Sequence, residues 1–401
     1  MNRGARVGDL FSGSSVVSQA LAHQGYQVTA VDTQQYASVL GISCLGVGRR
    51  ANEKLDAEDI VKASYESTNL QNYDKWIKLS SKEQAFLEAQ DIKALRSMYS
   101  NLPLLWCSGE DHRIQLLHSG YPNNGLNPVS IFTEIYAGSY FGVTQAMELD
   151  LLRIVIEQKA FSRWQLNAAL AALMSAASRC VHSAGKHFAQ PIKNSTAGSN
   201  RFADGRLLQD RNISVTQSFL EAAAQINSLT HSEEDGNQFI LGESERLNRS
   251  VYESFDLVYL DPPYTAQQYS RFYHVLETLV SYDVPKLFVD GKLTTGLYPD
   301  GRYKSAFSSR KGAELAIKKI IRSAHSSRTN LLASYSHSTA ASNGNARMIS
   351  FEQLIQACKS SYGEHAVSWE TMHHSYRQFN SSAVANQRRD DPEVLIKCRI
   401  G

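Results

Sequence analysis

The first forty-five residues switch between two periods. Ala5-Arg6-Val7-Gly8-Asp9-Leu10 is a short β-rich run ending in the turn-forming Phe11-Ser12-Gly13-Ser14-Ser15. Val16 to His23 has helical character, Gly25 stops it, and Tyr26 to Val31 is β-rich with Asp32 at its end. Strand, helix, strand is a βαβ opening, the start of an α/β sheet. From about residue 46 the pattern changes. Residues 53–91 carry nine acidic and five basic side chains with few β-branched runs, which predicts solvated helices. Ser81-Lys82-Glu83-Gln84 has the form of a capping box and predicts a helix start. Longer helices are expected over Thr144–Gln158 and Arg163–Val181, the second with Trp164, Leu170, Leu173, Met174, Ala177 and Val181 near a 3.6-residue period. Residues 183–238, rich in Gly, Ser, Asn and charge, read as a connecting stretch. The α/β pattern then returns: a buried strand at Phe255–Leu260, an amphipathic helix at Ala313–Ala324, a strand at Asn330–Ser336, a helix capped by Ser350 with Gln353, and β-rich pieces at Ala366–Thr371 and Val394–Ile400.

The expected organisation is an α/β domain in two pieces, residues 1–45 and 239–401, around a mainly helical insertion, residues 46–238. At 401 residues the chain is long enough for both. A net charge of +2 names no partner, so any nucleic-acid surface must come from local clusters. No apolar run approaches a membrane span and the first residues lack the form of a secretory signal. Five scattered cysteines without a CxxC pair read as reduced thiols, and together these features predict a cytoplasmic protein.

The strongest chemical signal is Asp261-Pro262-Pro263-Tyr264, directly after a hydrophobic strand. Two prolines force an exit from the strand, and a bare turn would account for that. Yet the carboxyl ends of strands are where open α/β sheets bind ligands. A carboxylate and a carbonyl fixed by proline can accept both N–H bonds of an exocyclic amine such as adenine N6 and favour its pyramidal, nucleophilic form. Tyr264 adds a face on which an extruded base stacks.

The Gly-rich turn after the first strand is weak evidence alone. It gains from Asp32, which lies 19 residues after Gly13 where a ribose hydroxyl pair is usually held. Without the three-glycine spacing of a pyrophosphate site, the turn suits a cofactor of one nucleoside and an amino-acid tail. Two basic clusters are expected to meet phosphate: residues 183–211, including Lys186, Lys193 and Arg201, and residues 286–311, including Arg302 and Lys304. The histidines lack ligand spacing, so no metal is expected; His274 reads as a structural hydrogen-bond partner.

Together these segments resemble the S-adenosylmethionine-dependent adenine-N6 DNA methyltransferases of the D12, Dam-like class. The run after DPPY (Gln268-Tyr269, Tyr273-His274, Leu276-Glu277) is most similar to the subgroup paired with type IIS restriction endonucleases. The likeness covers about residues 5–45 and 240–400 and extends weakly to Ser139-Tyr140-Phe141, Asp150 and Arg153. It implies a Rossmann-like seven-stranded methyltransferase sheet with a helical target-recognition insertion. It also implies methyl transfer to N6 of a flipped adenine in a specific duplex sequence, in a restriction-modification or phage-defence setting, with double-stranded DNA and a restriction endonuclease or other defence protein as partners. By this likeness Asp9, Phe11, Ser12 and Gly13 hold the methionine end of the cofactor, Asp32 its ribose, and Glu243 or Ser244 approach its adenine. Asp261, Pro262, Pro263 and Tyr264 hold the target base, while Tyr269 and the late His373-His374-Ser375-Tyr376-Arg377 line its pocket. Ser15 stands where the class often has a second glycine, and Thr265 where it usually has Asn. Eight residues precede Asp9, so the group that binds the methionine carboxylate is expected from elsewhere, near Tyr140. The alternatives are a methyltransferase acting on an RNA base amine and an inactive DNA-binding relative.

Overall fold

The computed structural model describes residues 2–66, 73–109, 111–122, 130–191, 201–336, 347–372, 375–377, 388–390 and 393–401; at 184, 201, 202, 336, 375–377 and 388–390 this extends to the backbone only. The chain forms two compact units. One comprises Met1–Glu53, Leu229–Tyr269 and Tyr303–Gly401, the other Lys54–Ser228 and Ser270–Arg302. The boundaries thus lie at 53/54 and 228/229 rather than 45/46 and 238/239. The flanks are tied into the first unit by hydrogen bonds: Glu233 N–H donates to the Arg49 carbonyl at 3.0 Å, and the Arg49 guanidinium donates to the carbonyls of Glu53 and Leu229. Ser270–Arg302 belongs to the helical unit, which the short pattern there did not reveal.

The first unit is built on seven strands: β1 Arg6–Asp9, β2 Gln27–Asp32, β3 Gln238–Leu241, β4 Leu257–Leu260, β5 Asn330–Ser336, β6 Val367–Met372 and β7 Glu393–Cys398. Their order is β3-β2-β1-β4-β5-β7-β6. Neighbours run parallel except β7, which is antiparallel to both β5 and β6. This is the expected α/β class, with a mostly parallel sheet whose central strands are apolar because both faces are covered. On one face Ile317, Ile320 and Ile321 of helix Arg310–Ser326 pack with Val258, Leu260, Leu331 and Val394. Gly8 of β1 leaves room for Phe255: a Cβ there would lie 2.6 Å from its ring.

The second unit is helical. Val143–Gln158 and Arg163–Cys180 appear as expected, the latter opened by a reciprocal cap between Ser162 and Gln165. Two helices lie in the stretch read as connecting, Arg201–Arg211 and Val215–Ser228. The second buries Val215, Phe219, Ala222, Ala223 and Ile226, a helical period masked by its polar surroundings. Ser81 also departs from expectation. It lies inside helix Asp74–Glu88, with its hydroxyl on the Ile77 carbonyl at 3.0 Å. Glu83 does cap a helix, but a different one. Its carboxylate accepts the N–H groups of Val143 at 2.7 Å and Thr144 at 2.9 Å, and the hydroxyls of Tyr99 at 2.6 Å and Thr144 at 2.8 Å. Tertiary packing supplies this cap, so local spacing misassigns it. Asp150 and Arg153 fix the same helix: Asp150 accepts the N–H groups of Phe132 and Thr133 and the Tyr282 hydroxyl, and Arg153 donates to the carbonyls of Leu279 and Val280. Among the described residues no helix is long and apolar enough to cross a membrane.

Replacing Glu83 by Ala removes the acceptor of four hydrogen bonds, two of them from helix-terminal N–H groups; of the four donors the Thr144 hydroxyl keeps Ser80 as a partner. Urea unfolding of Glu83→Ala is therefore expected to show the helical unit destabilised by about 3 kcal/mol, and Glu83→Gln by less. An unchanged unfolding midpoint in the Ala variant would remove Glu83 from this role.

Candidate functional site

Strand register places the chemistry-bearing residues of the sheet unit on one face. Asp9 pairs with Ala30 of β2 and Tyr259 of β4, and Tyr259 pairs with Leu332 of β5. Side chains alternate along a strand, so Asp32, Asp261 and Ser334, each two residues further on, share the Asp9 face at the carboxyl end of the sheet.

The turn after β1 is held at both ends. Leu10 N–H donates to the Tyr259 carbonyl at 3.1 Å and Ser12 N–H to the Val31 carbonyl at 3.1 Å. Gly13 has φ of 49°, and its N–H donates to Asp32 at 3.0 Å; the other Asp32 oxygen takes Gln34 N–H at 3.0 Å. Ser15 caps helix Val16–His23 with φ of 60° and no side-chain cap bond. A left-handed backbone costs a residue with a Cβ about 1–2 kcal/mol, which a glycine at this position would not incur. Three buried polar atoms at the end of β1 and in this turn have no hydrogen-bond partner among the described residues: Asp9 Oδ1, Ser12 Oγ and Ser15 Oγ. Unmet buried polar atoms are uncommon in folded proteins, and a water, a ligand or stored strain accounts for them.

Asp9 is 1% exposed, and its other oxygen accepts the Ser18 hydroxyl at 2.6 Å. Burial raises its pKa to about 6, with the negative charges of Asp261 and Asp32 adding to the rise, while Ser18 and the Phe11 backbone N–H oppose it. Burial also raises Asp32 above the ordinary aspartate value against three backbone N–H groups. Asp261 is exposed as a residue, yet the protein around it shifts its carboxyl. Burial raises its pKa, the Tyr264 hydroxyl that donates to it holds the value down, and Glu393 pushes it up. Pro262 is buried and Pro263 half-buried. The Tyr264 ring meets Tyr335 edge-on at 5.1 Å and lies under the Arg347 guanidinium at 5.4 Å. Met348 N–H donates to the Tyr264 carbonyl at 2.9 Å.

The remaining expected residues divide. Phe11 packs edge-on against Phe307 at 5.1 Å. Glu243 follows β3 and pairs with Arg246 at 2.5 Å. Ser244 is buried and turned inward: its hydroxyl donates to the Leu10 carbonyl, and its own carbonyl accepts the Tyr252 hydroxyl at 3.0 Å. Tyr269, 47% exposed, ends the central piece of the sheet unit, and Lys304 lies exposed in the same unit. Lys186, Arg201 and Arg302 belong to the helical unit. The Lys186 ammonium donates to Asp210 at 2.6 Å and to the carbonyls of Arg179 and Val181. Arg302 lies over the Tyr298 ring at 4.7 Å and donates to the Pro299 carbonyl. Tyr140 is buried there with its hydroxyl donating to the Phe188 and Gly296 carbonyls. His274, as expected, is a buried hydrogen-bond partner, on the Phe188 carbonyl at 2.8 Å. Tyr376 and Arg377 lie on strand Ser375–Arg377, paired with Arg388–Asp390. His373, His374 and Lys193 lie outside the described residues. Sequence reasoning missed Ser18, Tyr335, Arg347 and Glu393. Only Ser18 left a signal, a polar residue on the inward face of the first helix.

Residues 208–297 match the family model of the D12 class N6 adenine-specific DNA methyltransferases. The chain is 25% identical over 304 residues to the modification methylase LlaI of Lactococcus lactis subsp. lactis, an alignment covering 74% of this chain and 42% of that protein. It is 24% identical over 329 residues to the type II methyltransferase M.FokI of Planomicrobium okeanokoites, covering 82% of this chain and 40% of that one. A shorter stretch of 92 residues, 22% of this chain, is 36% identical to the type II methyltransferase M.NlaIII of Neisseria lactamica, covering 25% of it. The chain thus spans about two-fifths of the length of the first two relatives. No solved structure matches. The family resemblance read from DPPY and the glycine turn is borne out.

The elevated Asp9 pKa gives a signed expectation. An acid whose folded-state pKa lies above its unfolded one binds more protons when folded, so the fold loses stability as pH rises from about 4 to about 6 and stays lower above that. Asp9→Asn should therefore match wild type in urea unfolding at pH 4 and exceed it at pH 8, by about 2 kcal/mol. A variant weaker than wild type at pH 8 would contradict the buried-charge reading.

Proposed function

We propose that this chain, which carries the D12 class N6 adenine-specific DNA methyltransferase match over residues 208–297, transfers a methyl group from S-adenosylmethionine to N6 of an adenine swung out of a specific duplex DNA sequence. The sheet unit is then a Rossmann-like methyltransferase domain. The observation that supports this most is the position of Asp261, just past β4 and on the same face as Asp9 and Asp32, with the Tyr264 hydroxyl on its carboxylate.

When bound, S-adenosylmethionine supplies a methyl group on a positively charged sulfur, open to attack by an amine. The residues around the turn fit such a molecule. Asp9 Oδ1, Ser12 Oγ and Ser15 Oγ, unmet in the fold, would hold the charged methionine end, with Phe11 beside them. Asp32, fixed by two backbone N–H groups, keeps lone pairs for the ribose hydroxyls. Glu243 would approach the cofactor adenine, and Ser244 acts from behind by bracing the Leu10 carbonyl.

Asp261 and the Pro262 carbonyl would accept the two N–H bonds of the target amine, so its lone pair leaves the ring plane. Developing positive charge on that nitrogen is stabilised by the same carboxylate, and Asp261 or water takes the proton afterward. The Tyr264 hydroxyl orients Asp261, and its ring would stack on the extruded base against an unstacking cost of a few kcal/mol. Tyr269, Tyr376 and Arg377 are proposed to line the base pocket. The helical unit is proposed as the target-recognition region, with Lys186, Arg201 and Arg302, and Lys304 of the sheet unit, near phosphate. A restriction-modification or phage-defence setting, with an endonuclease or other defence protein as partner, belongs to the same proposal.

Asp261→Ala is expected to lower methyl incorporation into adenine of unmethylated genomic DNA by about a thousandfold or more, with cofactor affinity within a few fold. Nucleoside digestion with mass spectrometry and calorimetric titration read the two quantities. An active Asp261→Ala protein, or wild-type product found only in RNA, would overturn the assignment. Tyr264→Phe removes a donor that holds the Asp261 pKa down. Its acidic limb of kcat/KM is expected to move to higher pH, because a higher pH is then needed to ionise the carboxylate. An unshifted limb would show that the hydroxyl does not govern Asp261.

A further inference from the structure

We infer that Gln268 and the segment Tyr303–Phe307 form a latch that couples the cofactor turn to the base-holding loop, making Gln268 a positioning residue for methyl transfer. The inference rests on the proposed reading of the site. It starts from a residue for which the resemblance supplied no role.

Gln268 lies four residues beyond Tyr264. Its side-chain carbonyl accepts the Ser305 backbone N–H at 3.2 Å. The loop is also held at its start, by the Thr265–Arg347 bridge and the Met348 N–H on the Tyr264 carbonyl. Gln268 is thus a contact that ties the far end of the segment carrying Asp261 and Tyr264 to Ser305.

The segment it grips reaches the other two parts of the site. The Tyr303 hydroxyl shares hydrogen bonds with Ser305 and with Thr33, the residue after Asp32, and the Glu243 and Glu245 charges act on it. Two residues beyond Ser305, the fully buried Phe307 ring stands edge-on to Phe11 of the glycine turn, at 5.1 Å and 81°. One short stretch therefore touches the end of β2, the turn after β1 and the loop after DPPY.

That stretch is stiff. Ser305 Oγ accepts the Phe307 N–H at 3.2 Å, Ser308 Oγ donates to the Ser305 carbonyl at 2.6 Å, and Ser309 caps helix Arg310–Ser326 through the Gly312 N–H at 3.2 Å. A bar with few internal degrees of freedom transmits displacement instead of absorbing it. Ordering of Phe11 and Asp32 by a bound ligand is thereby passed to Gln268 and on to the loop that aims Asp261. Misplacement of a reacting group by a fraction of an ångström is costly in rate. Only the acceptor matters at Gln268, so Glu of equal length preserves the latch and Met of similar volume breaks it.

Amide hydrogen exchange of the full chain, with and without S-adenosylhomocysteine, tests this directly. In wild type the ligand should slow exchange at residues 10–15 and also at 265–268. In Gln268→Met, protection at 10–15 should persist and protection at 265–268 be lost; Gln268→Glu should regain it. On unmethylated genomic DNA, Gln268→Met should lose about tenfold or more in kcat with KM for the methyl donor within about twofold. Loop protection absent in wild type while the turn is protected, or retained in Gln268→Met, overturns the latch, as does unchanged kcat. A kcat loss matched by lost cofactor affinity also overturns it, since that marks a direct contact. The latch pattern without any N6-methyladenine product supports the coupling and rejects the proposed reaction. No protection anywhere rejects both.

Discussion

The site depends on three carboxylates held close together on one face of a sheet, where burial opposes their charge. Asp9 and Asp32 end β1 and β2 and Asp261 follows directly on β4, and each is pushed above the ordinary aspartate pKa, burial first among the causes. Parallel strands put their ends at a common edge, and register then sets which side chains share a face. A fold that gathers acids in this way sacrifices stability unless a cationic ligand offsets them. A sulfonium donor with an ammonium tail is such a ligand on the proposed reading.

The turn between β1 and the first helix shows the same tension in its backbone. Gly13 takes a positive φ at no steric cost, whereas Ser15 takes one with a Cβ and leaves its hydroxyl unpartnered. Strain at a site of this kind persists because neighbours over-determine it. Here the Asp32 carboxylate, the Val31 carbonyl and the inward Ser244 hydroxyl all fix the turn from outside.

Much of this was legible in the sequence, and the reasons differ by element. The βαβ opening, the strand before Asp261 and the capping box at Ser350 are local signals, and the structure places them where periodicity did. Asp9, Asp32 and Asp261 share a face because each sits at or just past a strand end, which sequence can mark, and Gly13 joins them through its N–H on Asp32. Helix Val215–Ser228 was missed because its apolar stripe is built partly from alanines amid polar residues. The capping box read at Ser81 falls inside a helix, and the cap that Glu83 supplies was missed because its partner lies 60 residues away. Ser244, expected to approach the cofactor adenine, turns its hydroxyl inward to the Leu10 carbonyl, a matter of side-chain direction that no spacing encodes. Lys186 read as a free cation, and its bond to Asp210 depends on a tertiary contact 24 residues along the chain.

Sequencing DNA from cells that express this chain, with a method that reports modified bases, addresses the central claim most directly. The account predicts N6-methyladenine at one recurring sequence, absent from cells without the chain. Folded, abundant protein with no modified adenine in that DNA would contradict it.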